Sequence, residues 1–238
     1  MVSRAHRSQE NREIEVETTS GVLCWRKSVP IQTVGLYVPG GTAPLFSTVL
    51  MLGIPAKIAG NPTRYLCTPP DKRGKVHPAI LFAAKTAGIE FVYKVGGTQA
   101  VAAMSLGTET IPKADKIFGP GNQYVTAAKQ YSQQLGLAID LPAGPSELLI
   151  YADDSAIPAF VASDLLSQAE HGTDSQVILV SNSQKLIDVV EKEIDNQIQV
   201  LPRKEIAQKA INNSKLILIE KENAALDFIN KYASEHFI

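Results

Sequence analysis

From Val34 onward, short apolar runs alternate with helical patterns, and glycine or proline marks most of the junctions. This rhythm constrains the fold more than any other feature of the sequence. Strands separated by helix-length segments build a parallel sheet, with the helices as crossovers. Val34–Val38, Arg64–Cys67, Phe91–Val95 and Asp115–Phe118 read as strands. Between and after them, helices are expected over Pro44–Leu52, Ala79–Ala87, Gln99–Leu106 and Asn122–Leu135, with Gly88 and Gly136 as stops. The turn Pro142-Ala143-Gly144-Pro145 separates this run from a second one. There, strands at Glu147–Tyr151, Gln176–Val180 and Leu216–Ile219 are spaced by helices at Ile157–His171, Lys185–Ile198 and Lys204–Ile211, and Glu222–Tyr232 is a last helix. The first fifteen residues are polar and read as frayed. Two α/β units are expected.

The 238 residues suffice for a substantial core. Lys and Arg total 23 against 24 Asp and Glu, a net charge of −1. No basic surplus therefore points to nucleic acid, and Arg64, Lys72, Arg73 and Lys75 are too few for a patch. No apolar run reaches membrane-spanning length, and the N-terminus has no apolar signal core. The two cysteines, Cys24 and Cys67, lack metal-type spacing. Cys67 reads as a buried thiol, and a reducing cytoplasm is the expected compartment.

Three groups of residues carry chemistry. In Gln168-Ala169-Glu170-His171-Gly172, Gln168 and His171 are three apart on one helix face and can converge on a divalent metal. An exposed polar helix end capped by Gly172 fits the same residues. Glu235-His236 pairs a carboxylate with an imidazole, suited to activating water and moving a proton near neutral pH, or else forms a solvated surface pair. Gly40-Gly41, Gly96-Gly97 and Gly119-Pro120-Gly121 each follow a strand and precede a helix, where ligands bind in open parallel sheets. None forms G-x-G-x-x-G, since Tyr124 takes the third glycine position, and ordinary turn chemistry also accounts for them. His6 and His77 read as surface residues without partners, and Trp25 as ordinary core.

In order, VGLYVPGGTAPLFSTVLML, KVGGTQAVAAMSLGTETIPKADKIFGPGN, IDLPAGPSELLI and ASDLLSQAEHGTDSQVIL resemble the histidinol dehydrogenase family, from about Val16 to the end. The resemblance implies a four-electron oxidation of L-histidinol to L-histidine through the aldehyde, with two NAD consumed. It also implies a zinc ion that holds substrate, and a homodimer with sites shared between subunits. Matched by motif, Tyr37, Gln99 and Asn122 are the expected NAD contacts and Ser146 a substrate contact. Gln168 and His171 are expected to ligate zinc and position substrate. Glu235 and His236 are the expected catalytic pair, with His236 also touching substrate. The family's fold implies two incomplete Rossmann-like units with mainly parallel sheets, residues 35–145 being inserted between residues 1–34 and 146–238.

Family members are nearly twice as long as this chain, so a fragment with impaired activity is expected. The absent C-terminal segment would bring an aspartate and a histidine as further zinc ligands. The family's Pro-Glu-His-Leu is here Ser234-Glu235-His236-Phe237. Two rival readings are a relative that oxidises another polar alcohol, such as a sulfonated diol, and a non-catalytic fragment that only dimerises or binds dinucleotide. Turnover assays on several alcohols, with metal analysis, distinguish them.

Overall fold

The computed structural model describes residues 2–10, 14–40, 44–142 and 146–238, with Val2 as backbone only. Gly41 and most of the Pro142–Pro145 turn lie outside the described residues. The chain divides into two compact units, Met1–Ala143 and Gly144–Ile238.

The first unit begins with α1 (Val2–Arg7) and an antiparallel pair, β1 (Ile14–Thr19) and β2 (Val22–Arg26). The expectation of a frayed start is thus corrected. A six-residue helix forms there and packs on α2 (Phe46–Ile58). All residues of both hairpin strands are exposed, including Trp25, which is no core residue in this chain. Residues 1–34 group with this first unit, and Thr33 already belongs to its main sheet.

That sheet contains β3 (Thr33–Tyr37), β4 (Thr63–Cys67), β5 (Phe91–Tyr93), β6 (Lys116–Phe118) and β7 (Ala138–Ile139), in the order β5-β4-β3-β6-β7 with every pairing parallel. Successive side chains of β3 point to opposite faces, and both faces are covered, which explains its unbroken apolar sequence. Val34, Leu36 and Val38 pack with Val49 of α2 and Ile80 and Ala84 of α3 (Pro78–Ala87). Tyr37 faces the other way, with Val101 and Met104 of α4 (Gly97–Leu106) and Val125 of α5 (Gln123–Gln134). Helix α3 ends at Gly88, in the left-handed region at φ 73°. It begins at His77, whose Nδ1 accepts a hydrogen bond from Ala79 N at 3.2 Å. His77 is therefore a helix cap, not a partnerless surface residue.

The second unit holds β8 (Glu147–Ala152), α6 (Pro158–Ala169), β9 (Gln176–Ser181), α7 (Gln184–Ile198), α8 (Lys204–Asn212), β10 (Lys215–Leu218), α9 (Glu222–Tyr232) and β11 (His236–Phe237). Its strands run parallel in the order β10-β9-β8-β11. Leu148, Ile150, Val177 and Leu179 pack with α6, α7 and α8 on one face. Leu149, Ile178 and Val180 meet Ala225 and Phe228 of α9 on the other. Two α/β units with parallel main sheets agree with the expected fold class.

Candidate functional site

In the first unit, the chain steps outward from β3 through β4 to β5, then returns to place β6 on the other side of β3. The ends of β3 and β6 therefore flank a topological switch point, the position where open α/β sheets bind ligands. The three residues matched to NAD contacts belong to this edge. Tyr37 ends β3, Gln99 lies in the first turn of α4 beyond β5, and Asn122 follows β6.

Their local roles differ. Tyr37 is buried, and its hydroxyl accepts a hydrogen bond from Gly97 N at 3.0 Å, tying the β5–α4 turn to the end of β3. Asn122 is exposed and caps α5, its Oδ1 accepting from Tyr124 N and Val125 N at 3.1 Å each. Its side-chain NH₂ is left as a donor. Gln99 is exposed, and its Oε1 accepts from the Thr98 hydroxyl at 3.3 Å.

The glycines make this edge possible by close packing. A Cβ on Gly40 would sit 2.5 Å from Pro69 Cγ, and one on Gly96 would sit 2.6 Å from Pro69 Cβ. The turns after β3, β4 and β5 are thus interlocked around a single proline ring. Gly119 has φ 136°, and a Cβ there would lie 1.9 Å from Tyr37 O. Only glycine fits. Beside it is a cavity of about 190 Å³ lined by Gly119, Gly121, Thr126, Lys129 and Asp140. Lys129 and Asp140 form a largely buried ion pair there. Its partners are eleven residues apart, and in the sequence Lys129 looks like any solvated helix lysine.

In the second unit, the expected residues belong to the opposite kind of edge. Because the strands are parallel, Ser146 before β8, His171 before β9 and Glu235 before β11 all lie at the N-terminal edge of the sheet. Ser146 O accepts from Gln176 N at 3.0 Å, opening the β8–β9 ladder. Helix α6 ends at Ala169, with Glu170 as its cap. Gln168 is thus in the last turn, His171 lies just beyond the helix, and Gly172 is not the cap. His171 is exposed, and its Nδ1 lies 2.8 Å from Ser167 O. A carbonyl only accepts, so Nδ1 is the donor in this contact, and in a neutral ring Nε2 then keeps its lone pair, the arrangement usual for a metal-binding histidine.

With Gln168 Oε1, that makes two donors suited to zinc in type. Even open zinc sites use three protein ligands. Among the described residues, no group of three or more His, Cys, Asp or Glu is placed to hold a metal.

Glu235 and His236 are adjacent but not hydrogen-bonded. Glu235 Oε2 is 3.9 Å from His236 Nε2, and the side chains are 46% and 59% exposed. What fixes them is backbone. Ala233 ends α9 in the left-handed region, Ser234 Oγ donates to His236 O at 2.7 Å, and β11 pairs with β8 in the register His236 to Leu148. Sequence reasoning did not anticipate β11, because a two-residue strand is defined by its distant partner. A cavity of about 520 Å³ at the other edge of this sheet, lined by Asp153, Asp164 and Glu222, includes none of these residues.

The sequence model of the histidinol dehydrogenase family matches residues 1–238. The chain belongs to the histidinol dehydrogenase family. It is 61% identical over 233 residues to the histidinol dehydrogenase of Bacteroides fragilis strain YCH46, covering 98% of this chain and 54% of the relative. It is 52% identical over 237 residues to that of Pasteurella multocida, covering 100% of this chain and 54% of the relative. The crystal structure of histidinol dehydrogenase from Elizabethkingia anophelis superposes with a TM-score of 0.97 at 55% identity, over 99% of this chain and 55% of that one. The chain therefore spans about half the length of the curated relatives it matches. Family membership makes it an oxidoreductase homologue. A substrate-bound structure of Staphylococcus aureus AldH, at 14% identity and a TM-score of 0.53, shares the fold alone.

Proposed function

We propose that this chain carries the cofactor edge and the catalytic pair of a histidinol dehydrogenase, which oxidises L-histidinol to L-histidine through the aldehyde in histidine biosynthesis. The reading rests on the family match together with one structural observation. The Glu235-His236 pair is held by β11 at the same sheet edge as Ser146, Gln168 and His171.

His236, as general base, takes the hydroxyl proton of the alcohol as hydride leaves the carbinol carbon. The aldehyde has no hydroxyl proton until water adds. Glu235 takes a proton from that water, and His236 serves the hydrated aldehyde as it served the alcohol. Bound NAD supplies the hydride acceptor, once for each oxidation. Gln99 and Asn122 offer it polar contacts, while Tyr37 fixes the Gly97 turn beside it. Ser146, Gln168, His171 and His236 orient the substrate.

Gln168 Oε1 and His171 Nε2 are the donors this chain would bring to a zinc ion, which would supply orientation. Two donors do not complete a zinc site, so the remaining ligands come from outside this set. A homodimer in the cytoplasm is the expected setting of the whole protein. The free thiols Cys24 and Cys67 suit a reducing compartment, and no helix among the described residues is long and apolar enough to cross a membrane.

The test is turnover by the protein completed to the length of its relatives. Two NAD reduced per L-histidinol consumed, with L-histidine as product, is the expected result. NADH formation from other polar alcohols but not from histidinol would overturn the substrate.

A further inference from the structure

Lys129 lies on α5 with its side chain 6% exposed, and Asp140 follows β7 with its side chain 26% exposed. Lys129 Nζ pairs with Asp140 Oδ1 and also donates to Gly119 O at 2.9 Å. Asp140 Oδ2 accepts from Gly119 N at 2.7 Å. Both polar backbone groups of a single glycine are therefore held by one ion pair. Packing alone does not call for this pair, because two apolar side chains of similar volume would join α5 to β7 as well or better. The charges add a grip on the turn. That turn has no slack on its other side, where Gly119 leaves no room for a Cβ against Tyr37 O. Three residues on, Asn122 starts α5 at the switch point between β3 and β6.

We propose that Lys129 and Asp140 are a positioning pair for NAD, holding the Gly119–Gly121 turn so that Asn122 and the start of α5 meet the dinucleotide. The proposal rests on the cofactor reading given above. Neither side chain needs to touch NAD. The pair acts through Gly119.

The experiment measures NAD affinity and thermal stability side by side in Lys129→Met, Asp140→Asn, the double variant Lys129→Met/Asp140→Leu, and Asn122→Ala. Each single change leaves a buried group unpaired, so stability falls and NAD binds about tenfold more weakly. The double change removes the unpaired charge and so recovers part of the stability lost in the single variants, though not the part held by the two Gly119 hydrogen bonds. NAD still binds about tenfold more weakly, because Gly119 has lost both partners. A pair that only stabilised the fold would recover affinity along with stability, and that result overturns the positioning role. If Asn122→Ala weakens NAD binding while all the pair variants bind normally, the positioning role fails and the cofactor reading stands. If the unaltered chain does not bind NAD, both fail.

Discussion

The two edges proposed to serve the reaction are built in different ways. At the C-terminal edge of the first sheet, the described turns are locked by close packing and hydrogen bonds. Gly40 and Gly96 close on Pro69, Gly119 closes on Tyr37, and Tyr37, Asn122, Lys129 and Asp140 each hold a piece of backbone. At the N-terminal edge of the second sheet, His171, Glu235 and His236 are exposed, and among the described residues no three His, Cys, Asp or Glu side chains are placed to hold a metal. A dinucleotide is recognised largely by backbone turns, which one α/β unit can shape alone. A metal-positioned substrate needs several side chains converging from different elements. Among the described residues, the first unit thus carries a tightly packed edge and the second an exposed one.

The largest effects are expected at the open edge, in the protein of full family length. His236→Asn slows oxidation of histidinol and of its aldehyde alike, each by about 10²–10⁴-fold, the usual contribution of a positioned acid–base group. Glu235→Gln slows aldehyde oxidation far more than alcohol oxidation, measured by supplying the aldehyde directly. Equal slowing of both steps, with zinc content unchanged, would make Glu235 a group that orients His236.

At the built edge the expected cost is one of folding. Gly119→Ala places a methyl group 1.9 Å from Tyr37 O at φ 136°. It should destabilise the first unit by about 3 kcal/mol or more in denaturant titration. A smaller loss would mean that the turn is free to move.

Cys67, at the end of β4, reports on the same core through pH. Burial pushes its thiol from the ordinary 9.0 up to about 12, so the folded chain keeps a proton that the unfolded chain loses. The stability this contributes is fully present below pH 9 and is lost as pH rises towards 12. Exposed Cys24 should alkylate in the folded protein at pH 8, and Cys67 only on unfolding, as read by mass spectrometry.

The smallest effect is expected from Asn122→Ala. Loss of one polar contact should weaken NAD binding by about 1 kcal/mol, a few-fold change in titration.

Much of this contrast was legible in the sequence. Buried parallel strands such as Val34–Val38 announce themselves as apolar runs, Gly88 marks a helix end by its access to the left-handed backbone region, and Asn122 marks a helix start by its capping side chain. The glycine turns located the built edge. Features set by distant partners were not legible. The β1–β2 hairpin is exposed on both faces and carries no clean alternation, β11 exists only through β8, and the grip of Lys129 on Gly119 has no local signature. The open edge was legible only as motifs, since spacing gives Gln168 and His171 a common face but not the ligands that would complete a metal site.

The contrast is tested most directly by titrating NAD into this chain with and without a strong zinc chelator. A tightly packed cofactor edge predicts weak but measurable binding that is the same in both conditions, with no stoichiometric zinc retained after dialysis. NAD binding that disappears with the chelator, or stoichiometric zinc surviving dialysis of the isolated chain, would contradict the division into one tightly packed edge and one exposed one.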